Sequence, residues 1–367
     1  MTRKIKIGVV GCGYWGPNLI RNFRSLSQCE MKLMCDQRDE RLNRLGELYP
    51  EIGREKDFNH MLNGAGLDAV AIATPVSLHY PMAKASLLAG KHTFVEKPLA
   101  RSSAQAEELV ELAQLQGLTL MSGHTFLYST AVRKIKELIQ TEAFGQLRYV
   151  SSYRANLGLF QKDINVAWDL APHDLSIILH FMDQTPNAVN CLGSAHVAQG
   201  IEDVTNMSLS FDDGRFAIIQ NSWLSPKKVR EMTIVGSKRM IVYDDVEPLE
   251  KIKIYEARVE APPHYDTFAE WQYAYHNGDR FVPHLKQEEP LKVQCQHFLD
   301  AIQQGTRPLS DGRKGLELVR ILEAASQSLR QQGASVRLTR VSPAAAPLHS
   351  PPTPALLATE PELVQVA

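Results

Sequence analysis

The sequence of 367 residues predicts an α/β chain in two parts, a parallel sheet covered by helices and then an α+β part with a large, mostly antiparallel open sheet. Three observations carry that prediction. Short apolar runs rich in Val, Ile and Ala alternate with segments of helical period as far as residue 124. A glycine-rich turn follows the first of these runs directly, and beyond residue 125 the pattern changes to long stretches of period two. With 44% hydrophobic and 22% charged residues, the chain can bury a core without disulfide or metal staples.

The first strand is IKIGVV at 5–10, followed by a glycine turn and a helix over 16–27. MKLMC (31–35), a helix over 38–48, and AVAIA (69–73) come next. A helix over 78–88, HTFV (92–95), a helix over 103–116 and LTLMS (118–122) complete the alternation. Because these strands are apolar almost throughout, both sheet faces should be covered, as parallel sheets require. QLRYVSSYRAN, DVTNMSLSFDD and RFAIIQNSWL alternate instead, predicting antiparallel strands with one face solvated or docked. Two helices near 292–304 and 312–331 close the folded part, the second started by Ser310-Asp311-Gly312 and stopped by Gly333. The last 27 residues hold six prolines and no Lys or Arg, so 341–367 reads as a disordered tail. The expected division is 1–124, 125–340 and 341–367.

Lys and Arg (40) balance Asp and Glu (41), leaving no global field to draw the chain to nucleic acid or to anionic lipid. The cysteines at 12, 29, 35, 191 and 295 are odd in number and lack C-x-x-C spacing, which argues against a disulfide framework and against a thiolate zinc site. The N-terminal apolar run breaks at glycines too early for a signal peptide or a membrane span. A cytoplasmic protein is expected.

Gly11-Cys12-Gly13-Tyr14-Trp15-Gly16 matches G-x-G-x-x-G between a strand and a helix. The first glycine permits the tight turn, the second lets backbone approach a pyrophosphate, and the third lets helix pack on strand, with the helix N-terminus facing the anion. The bare pattern can be a glycine turn with no ligand; its placement favours a Rossmann dinucleotide-binding domain. Asp36, 20 residues beyond Gly16, ends the second strand, where a carboxylate can bond both adenosine ribose hydroxyls. It would repel a 2′-phosphate at ~4 Å by on the order of 4 kcal/mol at an effective dielectric near 20. NAD is therefore expected over NADP, with Arg38 and Arg41 read as solvated positions on the second helix.

Further along, Thr74-Pro75 with His79, Ala89-Gly90-Lys91-His92 and Glu96-Lys97-Pro98-Leu99 occur in an order that resembles the Gfo/Idh/MocA family of NAD(P)-dependent oxidoreductases. Trp168-Asp169-Leu170-Ala171-Pro172-His173-Asp174 resembles the D-x-x-x-H element of the same family, so the resemblance covers essentially the whole folded chain. The glycine-rich lead-in common before that element is replaced here by Asn165-Val166-Ala167-Trp168. The resemblance implies that Lys97, Asp169 and His173 are catalytic, that Glu96 and Lys97 border the cofactor, that Thr74 and Pro75 line the nicotinamide ribose, and that His79 holds the loop beneath it.

Chemistry points the same way. Oxidising a secondary alcohol needs a base for the hydroxyl proton and positive charge at the developing alkoxide. His173 suits the first role and Lys97 the second. Asp169, four residues before His173, would lie on the same helical face and could orient the imidazole. Each also has an ordinary structural reading, with Lys97 preceding a proline and Asp169 and His173 as a bonded pair at a junction. A metal site built from His173, Asp169, His79 or His124 lacks ligand spacing.

GYWGPNLIRNF and WDLAPHDLSI resemble the branch of the family that holds the UDP-N-acetylglucosamine and UDP-N-acetylglucosaminuronate 3-dehydrogenases, which implies oxidation at C3 of a nucleotide sugar. Such a ligand needs cations, aromatics and amide donors. Arg154, Asn156, Trp223 and the Lys227-Lys228-x-Arg230 cluster supply those types, with Trp15 and Tyr128 bordering the same cleft, although three cations on a strand are usually a solvated face. The alternatives are an inositol or free-polyol dehydrogenase, a keto-sugar reductase, and a non-catalytic dinucleotide-binding sensor, which would not need Lys97, Asp169 and His173 together. The resemblance further implies a homodimer or homotetramer formed through the open sheet face, to which IIQNSWL would contribute.

Overall fold

The computed structural model describes residues 3–64, 66–260 and 273–338. The predicted tail at 341–367 lies outside them. Six strands form the first sheet: β1 (Ile5–Val10), β2 (Cys29–Cys35), β3 (Gly53–Glu55), β4 (Ala69–Ile72), β5 (His92–Val95) and β6 (Leu120–Ser122). All are parallel, in the order β3-β2-β1-β4-β5-β6. The order reverses between β1 and β4, which opens a crevice at the carboxyl ends of the strands, where open α/β sheets take their ligands. Every residue of β4 is buried, as a strand covered on both faces must be.

The covering helices are α1 (Gly16–Arg24), α2 (Asp39–Leu48), α3 (Phe58–Gly64), α4 (Val76–Leu88) and α5 (Ser103–Leu115). The Ser102 side chain caps α5 by accepting from the Gln105 N–H. β3 and α3 are absent from the sequence prediction. β3 is a three-residue edge strand without a buried residue, so no apolar pattern marks it.

The second sheet has nine strands: β7 (Leu147–Ala155), β8 (Ala188–Ser194), β9 (Val204–Ser210), β10 (Phe216–Ser222), β11 (Val229–Gly236), β12 (Met240–Asp244), β13 (Ile252–Glu260), β14 (Ala274–Phe281) and β15 (Val336–Arg337). Their order is β14-β13-β12-β11-β7-β10-β9-β8-β15, antiparallel except where β10 runs parallel to β7. Four helices accompany it: α6 (Thr130–Ile139), α7 (Val166–Met182), α8 (Pro290–Gln304) and α9 (Gly312–Arg330).

One core joins α6, α7 and α9 to the inner face of this sheet, through Ile135, Leu175, Ile178, Ile219, Ile234 and Leu322. The other face is open, and Tyr149 and Phe216 stack on it with ring centroids 5.1 Å apart. Trp223 is not on that face. It is buried on the inner side, so IIQNSWL brings Ile218 outward and its tryptophan inward.

The C-terminal helices cross back to the first sheet. Phe298 of α8 packs edge-on against Phe23 and Phe94, and Leu316 and Val319 of α9 pack with Leu99 and Leu109. A Cβ on Gly315 would stand 2.9 Å from the end of the Leu99 side chain, so a larger residue fits here only if that leucine gives way. A cut at residue 124 thus separates the two sheets in sequence, while 290–330 supplies the first with part of its cover. Among the described residues no helix is long and apolar enough to cross a membrane.

Candidate active site

The glycine turn is built as its spacing requires. Gly11 has φ +94°, and a Cβ there would lie 2.5 Å from the Ala73 carbonyl; at Gly16 it would lie 1.8 Å from the Gly11 carbonyl. No other residue fits either position. Pro17 stands in the first turn of α1, where its missing N–H leaves nothing unpaired.

Asp36 is more committed than the spacing suggests. Its Oδ2 accepts from the Cys12 N–H at 2.8 Å and from Arg41 at 3.2 Å, and its Oδ1 accepts from the Arg38 N–H at 3.0 Å. Burial alone would raise its pKa, but the Arg38 and Cys12 N–H groups and the Arg41 guanidinium outweigh burial and lower it. The carboxylate therefore organises the turn. The reading of Arg41 as a solvated position is corrected: it pairs with Asp36 and passes over Gly13, where a Cβ would meet its guanidinium at 3.2 Å. Tyr14 is almost fully exposed, while the Trp15 indole N–H turns back and donates to Glu96 Oε1 at 2.7 Å.

Thr74, Lys97 and His124 follow β4, β5 and β6 at the crevice. His79 is buried, one ring nitrogen 2.8 Å from the Pro98 carbonyl and the other 2.9 Å from that of Thr74. Burial lowers its pKa, so the ring is neutral and donates to one carbonyl at a time. It ties the loop after β4 to the loop after β5. Burial also pushes the Glu96 carboxyl up to about 7, against the opposing pull of Lys97 and Trp15. His124 is driven down to about 4, by burial first and then by the Lys97 charge. Both of its ring nitrogens are enclosed without a partner.

The Lys97 ammonium crosses to α7, donating to the Asp169 carbonyl at 2.8 Å and approaching Asp169 Oδ1 at 3.5 Å. Asp169 Oδ2 accepts from the Trp223 indole N–H at 3.1 Å. The expected bond from Asp169 to His173 is therefore corrected: both carboxylate oxygens turn to Lys97 and Trp223, because a fully buried indole N–H must find an acceptor. His173 Nδ1 is enclosed without a partner, although the residue is partly exposed, so Nε2 is the nitrogen open to a ligand. Its ring meets Phe126 edge-on at 5.0 Å. Burial lowers its pKa well below the ordinary range, and the charges of Lys97, Arg154 and Arg230 add to that effect.

Three predicted substrate contacts are relocated. Tyr128 is buried, its hydroxyl 3.1 Å from Ser310 Oγ, and its phenol fills the core between the first sheet and α8. Arg154 is buried in a two-pronged ion pair with Asp174, at 2.9 and 2.8 Å, with its guanidinium over the Phe126 ring. Trp223 faces Asp169. Arg230, directly opposite Arg154 on β11, is partly exposed and pairs with Asp245 at 3.3 Å. Asn156 opens the loop after β7, and Lys227 and Lys228 are exposed between β10 and β11.

Asn221 went unnoticed in the sequence: it lies on the inner face beside Arg154, fully buried with both amide atoms unpartnered. The period-two pattern of β10 places it inside, and a polar residue there was the available signal. Two open cavities, of about 710 and 1460 Å³, lie on outer surfaces and are lined by neither Lys97, Asp169 nor His173.

A nucleotide-binding oxidoreductase is the class that this crevice, its glycine turn and the lysine and histidine beside it define. The oxidoreductase family model for the NAD-binding Rossmann fold matches residues 5–124, and the GFO/IDH/MocA C-terminal domain matches 132–242. The chain belongs to the Gfo/Idh/MocA family of oxidoreductases, and its cofactor is NAD. It is 26% identical over 336 residues to UDP-N-acetylglucosamine 3-dehydrogenase of Acidithiobacillus ferrooxidans, covering 88% of this chain and 96% of that one. It is 24% identical over 348 residues to myo-inositol 2-dehydrogenase of Thermotoga maritima, covering 92% and 99%. Among solved structures, GenD2 from gentamicin A biosynthesis, in complex with NAD, superposes with a TM-score of 0.78 at 20% identity over 93% of this chain and 98% of that one.

Proposed function

We propose that the protein is an NAD-dependent dehydrogenase that oxidises a secondary hydroxyl, at C3, of a nucleotide sugar such as UDP-N-acetylglucosamine or its uronate. The observation that carries the reading is the convergence of Lys97 and His173 at the crevice, a fixed cation beside a neutral imidazole with one open nitrogen. Gly11, Gly13, Gly16 and Asp36 would hold the dinucleotide, with Thr74, Pro75, Glu96 and Lys97 along its nicotinamide end. The bound nicotinamide supplies the hydride acceptor.

His173, neutral at physiological pH, takes the hydroxyl proton on Nε2. Lys97 has three donors; one is held by the Asp169 carbonyl, so another is available to the developing alkoxide. Asp169 anchors Lys97. Arg230 and Asn156 border the same space, with Lys227 and Lys228 at its rim for the diphosphate. The similarity to a UDP-N-acetylglucosamine 3-dehydrogenase supports the nucleotide sugar.

The similarity to a myo-inositol 2-dehydrogenase favours a second reading, a free polyol as substrate. NADH formation over a panel of UDP-sugars, inositols and free sugars decides between them. Turnover of UDP-sugars alone is expected; turnover of inositols alone selects the second reading, and none with any substrate despite tight NAD binding leaves a sensor. The stacked aromatics of the open sheet face support a homodimer or homotetramer formed there. Five free, buried thiols fit a reducing compartment, the cytoplasm.

A further inference from the structure

We propose that Trp223 is a positioning residue for this centre: its indole N–H holds the Asp169 carboxylate in the orientation that fixes the Lys97 ammonium, and the loop after β7 locks the indole in place. The proposal rests on the role given to Lys97 above. Trp223 is among the largest wholly enclosed side chains, with 1% of its surface exposed, so its N–H has no recourse to water. Asp169 Oδ2, at 3.1 Å, is the acceptor it finds.

The arrangement divides the carboxylate. Oδ1 faces Lys97 and Oδ2 faces Trp223, and a neutral donor on the second oxygen orients the group without competing for its charge, which a second cation would do. Without the indole N–H, Oδ2 has no protein donor, the carboxylate can rotate about its terminal torsion, and Lys97 loses its side-chain partner.

Trp223 is held through both its backbone and its ring. Its backbone N–H donates to the Asp203 carbonyl at 2.9 Å, and its own carbonyl accepts from the Gly158 N–H at 3.1 Å. Phe160 packs against its ring at 5.2 Å between centroids, and a Cβ on Gly158 would meet its Cδ1 at 2.8 Å. Leu157 and Leu159 of the same loop are largely exposed. A ligand resting on those leucines would thus press on a segment two contacts from Asp169.

The test reads Lys97 without requiring turnover. The full-length protein is pulse-labelled with acetic anhydride, and acetylation of Lys97 is measured by peptide mass spectrometry against the exposed Lys227 and Lys228. Trp223→Phe, which keeps most of the volume and removes the donor, is expected to label Lys97 about threefold to tenfold faster than wild type, the range that one net hydrogen bond is worth. Asp169→Asn should behave alike, and the double variant should label no faster than Asp169→Asn alone.

Gly158→Ala, which pushes on the indole from the loop, should raise labelling by a smaller factor and serves if Trp223→Phe does not fold. Wild-type labelling in both variants, or effects of Trp223→Phe and Asp169→Asn that simply multiply, would overturn the proposal. If a substrate from the panel is turned over, Trp223→Phe should lower kcat and leave the affinity for NAD unchanged. If none is, the labelling result stands by itself and the failure belongs to the substrate reading.

Discussion

Glu96 offers a quantitative test of the buried end of β5. Its carboxyl lies among the Trp15 indole N–H, the Lys97 backbone N–H and the Gly123 backbone, and burial raises its pKa from an ordinary 4.5 to about 7. The folded state therefore binds this proton more tightly than the unfolded chain does. The stabilisation it brings is full below pH 4.5 and is lost as the pH rises through 7. The rise from 4.5 to about 7, at about 1.36 kcal/mol for each pH unit, makes the loss roughly 3 kcal/mol.

Glu96→Gln cannot ionise and keeps an oxygen for the Trp15 N–H, so it should be free of this pH dependence. At pH 5 the variant should be within about 1 kcal/mol of wild type, the cost of a weakened contact to the Lys97 N–H. Between pH 5 and pH 8 the difference should move by roughly 2 to 3 kcal/mol in favour of the variant. Urea denaturation of both proteins at half-unit pH steps measures it, and the remaining titrating groups cancel in the comparison. A difference that stays flat across that range would refute the assignment of a raised carboxyl at Glu96.

Other perturbations address the chemistry and the scaffold. Lys97→Ala and His173→Ala should retain NAD binding, followed by fluorescence titration, while losing more than about 100-fold in rate; unchanged turnover would remove the residue from its role. Arg154→Leu leaves the Asp174 carboxylate buried without its partner and should cost about 3–5 kcal/mol in chemical denaturation, a loss that Asp174→Asn in the same chain should largely restore. Phe298→Ala, at the junction of α8 with Phe23 and Phe94, should cost about 3–5 kcal/mol; a negligible change in melting temperature would argue that α8 does not contribute to the first core. Light scattering at micromolar concentration should report a dimer or tetramer, and a monomer mass would discount the open sheet face as an interface.

What the sequence disclosed follows from how local its signals are. The five-strand alternation, the glycine turn and the cap at Asp311 depend on neighbours within a few residues, and their spacing carries them. Tyr128, Trp223 and Arg154 were misplaced because their environments come from distant segments: α8 and Ser310 enclose the first, the loop at 156–160 the second, and Asp174 of α7 neutralises the third. Residue type alone suggested a ligand where the fold had already provided a partner. The return of α8 and α9 to the first sheet is equally invisible, since an apolar helical stripe does not name the surface it will cover.

The pair at Asp169 and His173 shows why spacing was insufficient at the centre itself. Four residues on a helix put two side chains on one face, but that contact is worth only a few tenths of a kcal/mol. The enclosed indole N–H has no other acceptor, and leaving it unpaired costs about 1–3 kcal/mol, while the lysine ammonium, already held by the Asp169 carbonyl, draws the other carboxylate oxygen by its charge. The carboxylate goes where the larger penalties are relieved. Three cations around the crevice then face carboxylates: Lys97 with Asp169, Arg154 with Asp174 and Arg230 with Asp245. His173 is left without one. Surrounded by cations and partly buried, it stays neutral, and a neutral imidazole is the form that can accept a proton from an alcohol. Giving Asp169 to the lysine instead of the histidine therefore keeps the imidazole neutral, the form that the proposed role as base requires, whereas the predicted pairing would have stabilised the imidazolium.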